Sequence, residues 1–197
     1  MTGIILAGGE SRRMGTDKAF LQLEGKPLVD RILSVFLSLF DQTILVTNRP
    51  ESYQGFRVRV ISDAVDIPGP LTGVYTGLLH ARSEHSFVAA CDMPFLSQHL
   101  ISYMIDSAGD YDAVVPVVGG LLEPLHAVYH RRTLPVLRDL LGSDDRRISR
   151  LFDRVRVRYL TSQEIAYYDP AFRSFTNINT PEQLKEVLCS DSECRNY

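Results

Sequence analysis

The sequence predicts an α/β fold: a single Rossmann-like, mostly parallel sheet with helices on both faces and a less regular C-terminal half. In the first half of the chain, short β-branched apolar runs alternate with longer segments whose apolar residues recur at helical spacing. The short runs are apolar throughout, which is typical of strands buried on both faces. With 197 residues, 45% of them apolar, the chain can form one core, so we expect a single domain over 1–190 and a frayed tail over 191–197.

Each predicted element follows from a local pattern. We expect strands at four apolar runs, Gly3–Leu6, Thr43–Thr47, Arg57–Ile61 and Ser86–Cys91. Helices are expected between them over 27–40 and 71–82, with Pro27 and Pro70 at their starts. In the second half, we expect two strands over 112–130 that turn at Gly119 and Gly120, and then helices over 134–141 and 181–188. These elements are expected to extend the same sheet.

Composition and charge exclude several classes of protein. The net charge of -3 argues against a surface that wraps nucleic acid, because such binding needs a large positive excess. No apolar run approaches the roughly 20 residues that cross a bilayer, and the N-terminus lacks a signal-type leader. The three cysteines have no metal-type spacing. We therefore expect a cytoplasmic protein that binds neither nucleic acid nor membrane.

The segment that follows the first predicted strand, "AGGESRRMGTDK", combines glycines with cations. Gly8, Gly9 and Gly15 allow backbone N–H groups to approach phosphate oxygens, and Arg12, Arg13 and Lys18 can balance phosphate charge. The P-loop pattern fails because Gly9 and Gly15 are six apart and Lys18 follows Thr16 and Asp17. The paired glycines also break the dinucleotide fingerprint. A phosphate-binding loop of another kind is therefore predicted.

Polar residues stand directly after three of the predicted strands. Asp92 follows the run that ends at Cys91, while Asn48 and Asp63 close the second and third strands. In open parallel sheets, ligands bind beyond the carboxyl ends of the strands, so these side chains can reach a common ligand. By residue preference alone, each is more often a turn or cap residue.

A resemblance to a known family favours the functional interpretation. The stretch "LAGGESRRMGTDKAFLQLEGKPLVDRIL" resembles the L-A-G-G-x-S-x-R-M-G-x-D-K signature of the nucleotidyltransferase family that includes the molybdenum cofactor guanylyltransferases, the MobA proteins. Further segments resemble family motifs in the same order, and the resemblance runs from Gly3 to about Val187: "VTNRP", "ISDAVDIPGPLTGVYTGL", "CDMPFL", "EPLHAVYH" and "FTNINTPEQL". Related cytidylyltransferases usually carry L-A-A-G, so Gly8 favours the guanylyl branch.

The resemblance implies transfer of GMP from GTP to the phosphate of Mo-molybdopterin, with release of pyrophosphate. It implies a nucleotide-binding half over about 1–110 and an acceptor-binding half over about 111–190. The implied catalytic residues are Asp92, Lys18 and Arg13, with Mg²⁺ on Asp92. The implied GTP-binding residues are Leu6, Ala7, Gly8, Gly9, Lys18, Asn48, Asp63, Pro70, Leu71, Gly73 and Asp92. The segments "EPLHAVYH" and "FTNINTPEQL" are implied to meet the molybdopterin, and Asn177 and Asn179 are implied to bind it.

Some alternatives stay open at the level of the sequence. One is a cytidylyltransferase, or another nucleotide transferase that acts on a phosphorylated acceptor; another is a GTP-binding carrier of the cofactor without catalysis. A GTP-hydrolysing switch is disfavoured because Ala19, not Ser or Thr, follows Lys18. The arginine-rich run over 144–158 fits a solvated helix followed by an exposed strand. It also fits a surface that attracts the pterin phosphate or a protein that delivers the cofactor.

Overall fold

The structure, a computed structural model, describes residues 1–8, 18–23, 25–180 and 182–183, without the side chain of Lys18. Its strands are β1 (Thr2–Leu6), β2 (Gln22–Leu23), β3 (Lys26–Pro27), β4 (Gln42–Val46), β5 (Arg59–Ile61), β6 (His85–Ala90), β7 (Ala113–Val118), β8 (Leu121–Leu122), β9 (His126–His130) and β10 (Val157–Leu160). Its α-helices are α1 (Leu28–Leu39), α2 (Pro70–His80), α3 (Gln98–Asp106), α4 (Leu134–Leu141), α5 (Ser149–Phe152) and α6 (Ser162–Tyr168). Short 3-10 helices cover Lys18–Phe20, Pro50–Tyr53, Arg131–Thr133 and Arg173–Phe175. None of the described helices is long and apolar enough to cross a membrane.

The strands form one large sheet that is mostly parallel, as the sequence predicts. The strand order is β5-β4-β1-β6-β9-β7-β10, and the short β8 pairs with β7. Strand β9 runs antiparallel to its neighbours β6 and β7, whereas β5, β4, β1 and β6 are parallel to one another. Strands from the second half of the chain therefore join the same sheet as those of the first.

Helices cover both faces of this sheet, which confirms the predicted layers. Strand residues alternate between the faces, so Ile5 packs on one side and Ile4 and Leu6 pack on the other. Helices α1, α3 and α6 supply the first layer, and α2, α4 and α5 supply the second. The central strand β1 is buried along its whole length because both of its faces are covered.

The second half differs from the sequence expectation in detail. Strand β7 turns at Gly119 and Gly120 as predicted, but the returning strand is divided by Glu123–Leu125 into β8 and β9. The arginine-rich run contains only a four-residue helix, followed by the sheet's edge strand β10. The helix expected over 181–188 lies largely outside the described residues.

Helices α3 and α6 were not predicted, although both carry a signal in the sequence. Ser97 caps α3 by accepting a hydrogen bond from the Leu100 N–H. Thr161 and Glu164 form a capping box at the start of α6, which fits the Thr-x-x-Glu pattern.

Helix α2 approaches β1 closely because it carries two glycines four residues apart. A Cβ at Gly73 would lie 3.1 Å from Leu6 Cδ2, and a Cβ at Gly77 would lie 2.5 Å from Ile4 Cγ2. The second distance is shorter than any ordinary contact, and Ile4 is a stiff β-branched residue in the buried strand. A side chain at position 77 would therefore push the helix away from the sheet.

We expect Gly77→Ala to lower the free energy of unfolding by about 1 to 3 kcal/mol, as overpacked core substitutions do. Helix propensity alone predicts the opposite sign, a gain of up to about 1 kcal/mol. Urea denaturation would measure the difference. Gly55→Ala is the matched control, because a Cβ there meets nothing within 4 Å. A stabilised Gly77→Ala variant would contradict the close packing.

Candidate active site

A large cleft opens at the edge of the sheet where the parallel strands end. Its volume is about 1270 Å³. Single small-molecule sites commonly occupy about 300 to 1,000 Å³, so the cleft has room for more than one ligand. Its walls are the ends of β1, β4, β5 and β6, the start of α2, the turn before β9, and the extended segment that contains Asn177 and Asn179.

Strand register aligns four of the predicted site residues along this edge. The last paired residues of β1, β4, β5 and β6 are level with one another: Leu6, Val46, Ile61 and Ala90. The residues two positions further along each strand are Gly8, Asn48, Asp63 and Asp92, all of which line the cleft. In sheet order they run Asp63, Asn48, Gly8, Asp92. At about 4.8 Å between neighbouring strands, this row is about 14 Å long.

Asn48 and Asp63 form a hydrogen-bonded pair at one end of the row. Burial raises the pKa of Asp63, and a hydrogen bond from the Asn48 side chain partly offsets that rise by stabilising the ionised carboxylate. The loop after Asp63 is fixed on α2, because the Ala64 N–H donates to Thr76 Oγ1 at 2.9 Å and Thr72 Oγ1 donates to the Ile67 carbonyl at 2.6 Å. The pair is therefore held on a rigid support.

Helix α2 begins at the cleft wall. Gly69, immediately before it, has φ 134° and ψ 166°, a conformation that is essentially restricted to glycine. Pro70 and Gly73 line the cleft, whereas the side chain of Leu71 points into the core and is 3% exposed. A helix N-terminus presents backbone N–H groups and a partial positive charge, which suits an anionic ligand.

The backbone around Asp92 links the end of β6 to β1 and to the segment that contains Asn177 and Asn179. The Cys91 N–H donates to the Leu6 carbonyl at 3.0 Å, which ties the end of β6 to β1. The Ile178 N–H donates to the Asp92 carbonyl at 2.8 Å. Because Ile178 is fully buried, its neighbours Asn177 and Asn179 are held at the cleft, where both contribute to the lining.

A helix cap positions Asn179 as well. The Gln183 N–H donates to Thr180 Oγ1 at 3.2 Å, as expected for a helix that starts after Thr180. The Gln183 Oε1 accepts a hydrogen bond of 2.8 Å from the Asn179 N–H, one residue earlier than in a standard capping box. The cap therefore fixes the backbone of a cleft residue.

Three charged cleft residues were not among the individually predicted site residues: Arg49, Asp66 and Glu123, the last of which begins the family-like segment "EPLHAVYH". Arg49 and Asp66 come shortly after the ends of β4 and β5, so the position that singled out Asn48 and Asp63 also applies to them. Glu123 precedes β9. Because β9 is antiparallel to β6, it begins at the edge where β6 ends, and only knowledge of that reversal brings Glu123 to the cleft.

The charges of the cleft wall favour a ligand that brings its own cations. The described lining residues carry four carboxyl groups and one cation: Asp63, Asp66, Asp92 and Glu123 against Arg49. No group of three or more His, Cys, Asp or Glu side chains in the described residues is arranged to hold a metal by itself. Such a donor set fits a metal ion of the Mg²⁺ type, which typically takes one or two carboxylates and completes its shell with phosphates and water.

The predicted site residues are thus largely brought together. Those that line the cleft are Leu6, Ala7, Gly8, Asn48, Asp63, Pro70, Gly73, Asp92, Asn177 and Asn179. Leu71 does not line the cleft, and its side chain lies in the core. Gly9 and Arg13 lie outside the described residues, and Lys18 begins a 3-10 helix with its side chain outside the description. None of the arginines over 144–158 lines the cleft.

The parallel sheet, the cleft at its carboxyl edge and the motif order define a nucleotidyltransferase. A family model described as the MobA-like NTP transferase domain matches residues 3–159. The chain belongs to this family, which confirms the resemblance seen in the sequence.

Similar proteins cover nearly the whole chain. The molybdenum cofactor guanylyltransferase of Desulfosudis oleivorans is 40% identical over 189 residues, which cover 95% of this chain and 94% of that protein. The molybdenum cofactor guanylyltransferase of Syntrophotalea carbinolica is 34% identical over 94% of this chain and 89% of its own length.

Solved structures show the same architecture. Molybdopterin-guanine dinucleotide biosynthesis protein A from Archaeoglobus fulgidus has a TM-score of 0.83 at 29% identity, covering 97% of this chain and all of that one. The 4-diphosphocytidyl-2C-methyl-D-erythritol synthase of Anaerococcus prevotii has a TM-score of 0.73 at 16% identity, covering 97% of this chain and 95% of that one, and this second likeness shows the fold alone.

We expect Asn48→Ala to raise the pKa of Asp63 further, because the variant loses the hydrogen bond that favours the ionised carboxylate while the burial stays. Carbon-13 NMR titration of the Asp63 carboxyl group in the ligand-free protein would measure the shift. Asn177→Ala, which also removes one amide from the cleft, serves as the control and should leave the Asp63 titration unchanged. An unchanged or lowered Asp63 pKa in Asn48→Ala would contradict the pairing.

Proposed function

We propose that this protein transfers GMP from GTP to the phosphate of Mo-molybdopterin and releases pyrophosphate, which forms the guanine dinucleotide of the molybdenum cofactor. The names of its relatives support the guanylyl group and the molybdopterin acceptor. The observation that carries the proposal is that Asp92 lines one cleft together with Asn48 and Asp63 from the first half of the chain and Asn177 and Asn179 from the second half.

The two halves of the chain correspond to two substrates in this proposal. The nucleotide-binding half, about 1–110, binds GTP with the row of strand-end residues and the start of α2. The acceptor-binding half, about 111–190, binds molybdopterin, together with Asn177 and Asn179. The bond between Ile178 N–H and the Asp92 carbonyl fixes the acceptor side relative to the position of the phosphates. A cleft of about 1270 Å³ is large enough for both substrates at once.

For this reaction the protein must align the two substrates and balance the charge of their phosphates. An oxygen of the acceptor phosphate forms a bond to the α-phosphorus of GTP, and the bond from that phosphorus to the bridging oxygen breaks, so pyrophosphate leaves with the electron pair. The attacking phosphate is already anionic, and no general base is needed. Holding the two substrates in line supplies much of the acceleration of such a step.

Neutralisation of phosphate charge is assigned to Asp92, Lys18 and Arg13. Asp92 would hold Mg²⁺, which when bound offsets the charge that develops on the phosphate oxygens. Lys18 and Arg13 belong to the glycine-rich segment that follows β1 and would contact the phosphates directly. This agrees with the excess of carboxyl groups over cations among the described lining residues.

Gly8 is assigned a part in nucleotide selection. It is exposed at the cleft, and a Cβ built on it meets no atom within 4 Å. Packing within the described protein therefore does not require glycine at this position. The space that a methyl group would occupy is open to the ligand, which supports a selective role toward GTP.

The choice of nucleotide tests the proposal most directly. We expect GTP with Mg²⁺ to raise the melting temperature more than CTP, ATP or UTP at equal concentration, because a ligand at 100 times its Kd stabilises the folded state by about 2.7 kcal/mol. A thermal-shift series would measure this. GTP and molybdopterin together should then release pyrophosphate, which a coupled assay detects. Preferential stabilisation by CTP would point to a cytidylyltransferase, and GTP binding without pyrophosphate release would point to a carrier.

We expect Asp92→Asn to lower the rate of pyrophosphate release by about a hundredfold or more, because it removes the carboxylate assigned to the metal while keeping the side chain's size. The fold should persist, since the structural hydrogen bond at this residue uses the backbone carbonyl. Asp106→Asn, an identical change at the exposed end of α3, is the control and should turn over like the parent protein. A folded Asp92→Asn variant with full turnover would exclude the metal role.

A further inference from the structure

The turn that contains Glu123 is a rigid part of the cleft wall. The Glu123 N–H donates to the Pro116 carbonyl at 3.0 Å, and the Glu123 carbonyl accepts from the His126 N–H at 3.1 Å. The Tyr129 hydroxyl, fully buried, donates to the Pro124 carbonyl at 2.7 Å. Proline at the second position of the turn restricts the backbone further. Glu123 is thus presented to the cleft on a fixed support.

The same turn is tied to the centre of the site. The Ala90 N–H donates to the Leu125 carbonyl at 3.1 Å, two residues before Asp92. In the sheet order β5-β4-β1-β6-β9, the turn before β9 lies beyond β6, whereas Asn48 and Asp63 lie on the other side of it. Glu123 is therefore separated from the nucleotide-side pair by the strand end that carries Asp92.

The carboxylate of Glu123 has no compensating group among the residues that the structure describes. Within the described part of the chain, no hydrogen bond or ion pair involves its side chain, and burial raises its pKa. A partly buried carboxylate without a donor is costly, so the position favours a ligand that supplies N–H groups. Phosphate groups cannot meet this need, because their charge has the same sign.

Of the chemical groups that the proposed substrates bring, the pterin ring offers suitable donors. Its 2-amino-4-oxo pyrimidine ring carries an amino group next to a ring N–H, and the two can donate in parallel to the two oxygens of one carboxylate. Guanine presents the same edge. The position of Glu123 on the far side of Asp92 from Asn48 and Asp63 favours the acceptor over the nucleotide.

We propose that Glu123 selects the acceptor by binding the 2-amino and adjacent ring N–H groups of its pterin with paired hydrogen bonds. The inference rests on the proposed function and deepens it, since it assigns one residue and one contact to the recognition of the pterin. Glu123 makes no contact with the reacting atoms in this proposal. Its effect is on binding of the acceptor.

A direct binding experiment tests this without turnover. The probes are 6-hydroxymethylpterin, which has no phosphate, and the corresponding lumazine, which carries a carbonyl in place of the 2-amino group. By fluorescence titration, the parent protein should bind the pterin about tenfold or more tightly than the lumazine, the effect of hydrogen bonds to a charged group. Glu123→Gln should lose most of this preference. Glu51→Gln, the same change at an exposed residue outside the cleft, should retain it.

Steady-state kinetics give a second, independent readout. Glu123→Gln should raise the KM for molybdopterin about tenfold or more, while the KM for GTP and kcat at saturating acceptor stay within about twofold. Coulomb's law alone predicts a lower KM for molybdopterin instead, because removing a negative charge from the cleft should tighten binding of a phosphate-bearing acceptor. Glu123→Asp, which keeps the charge on a shorter side chain, should have a KM for molybdopterin between those of the parent protein and Glu123→Gln.

Each other outcome overturns the assignment. An unchanged or lowered KM for molybdopterin excludes the pterin contact. A raised KM for GTP places Glu123 at the guanine, and a higher Mg²⁺ concentration for half-maximal activity makes it a metal ligand. Absence of pyrophosphate release by the parent protein would defeat the proposed function, whereas equal binding of pterin and lumazine by that protein would defeat the role of Glu123. The two failures are therefore distinguishable.

Discussion

The register of four parallel strands is the constraint on which the site depends. Backbone pairing sets β5, β4, β1 and β6 so that their last residues are level, and the side chains two residues later consequently share one edge. A slip of one residue in any of these pairings would exchange the two faces of the moved strand. In β1 such a slip would bring a larger residue to the place of Gly3, where a Cβ would overlap the rings of Phe36 and Phe40, so the packing opposes it. The strand register that packs the core is therefore also the register that places the polar groups at one edge.

Strand β9 runs antiparallel to both of its neighbours and so brings a different kind of segment to the cleft. The parallel strands β5, β4, β1 and β6 end at the cleft, whereas the antiparallel strand β9 begins there. This is how a turn from the middle of the chain, Glu123–Leu125, lies beside the end of β6. Together with the bond from Ile178 to Asp92, it brings two separate segments of the second half to the cleft. The proposed acceptor side is thus built on the same sheet as the proposed nucleotide side.

Much of the fold and part of the site could be predicted from the sequence, for identifiable reasons. Apolar runs and helix-starting prolines depend on local patterns, and the predicted strands and the helices α1, α2 and α4 were found within a few residues of their expected bounds. Asn48, Asp63 and Asp92 could be placed at the cleft because they follow strands directly. Glu123 was not singled out within its segment because its position at the cleft depends on the direction of β9, which no local pattern encodes. The buried side chain of Leu71 depends on the helix face that meets β1, and so also required the tertiary structure.

The open space at Gly8 has a consequence for how this family can diverge. Nothing in the described protein lies within 4 Å of a Cβ at this position, and the backbone there needs no left-handed conformation. Glycine and alanine codons can differ by one base, so the exchange that the sequence resemblance links to the guanylyl and cytidylyl branches is one mutational step. Within the described part of the protein, that step disturbs no packing. Under the proposed role of Gly8, a change of nucleotide would therefore require no prior gain in stability to compensate for it.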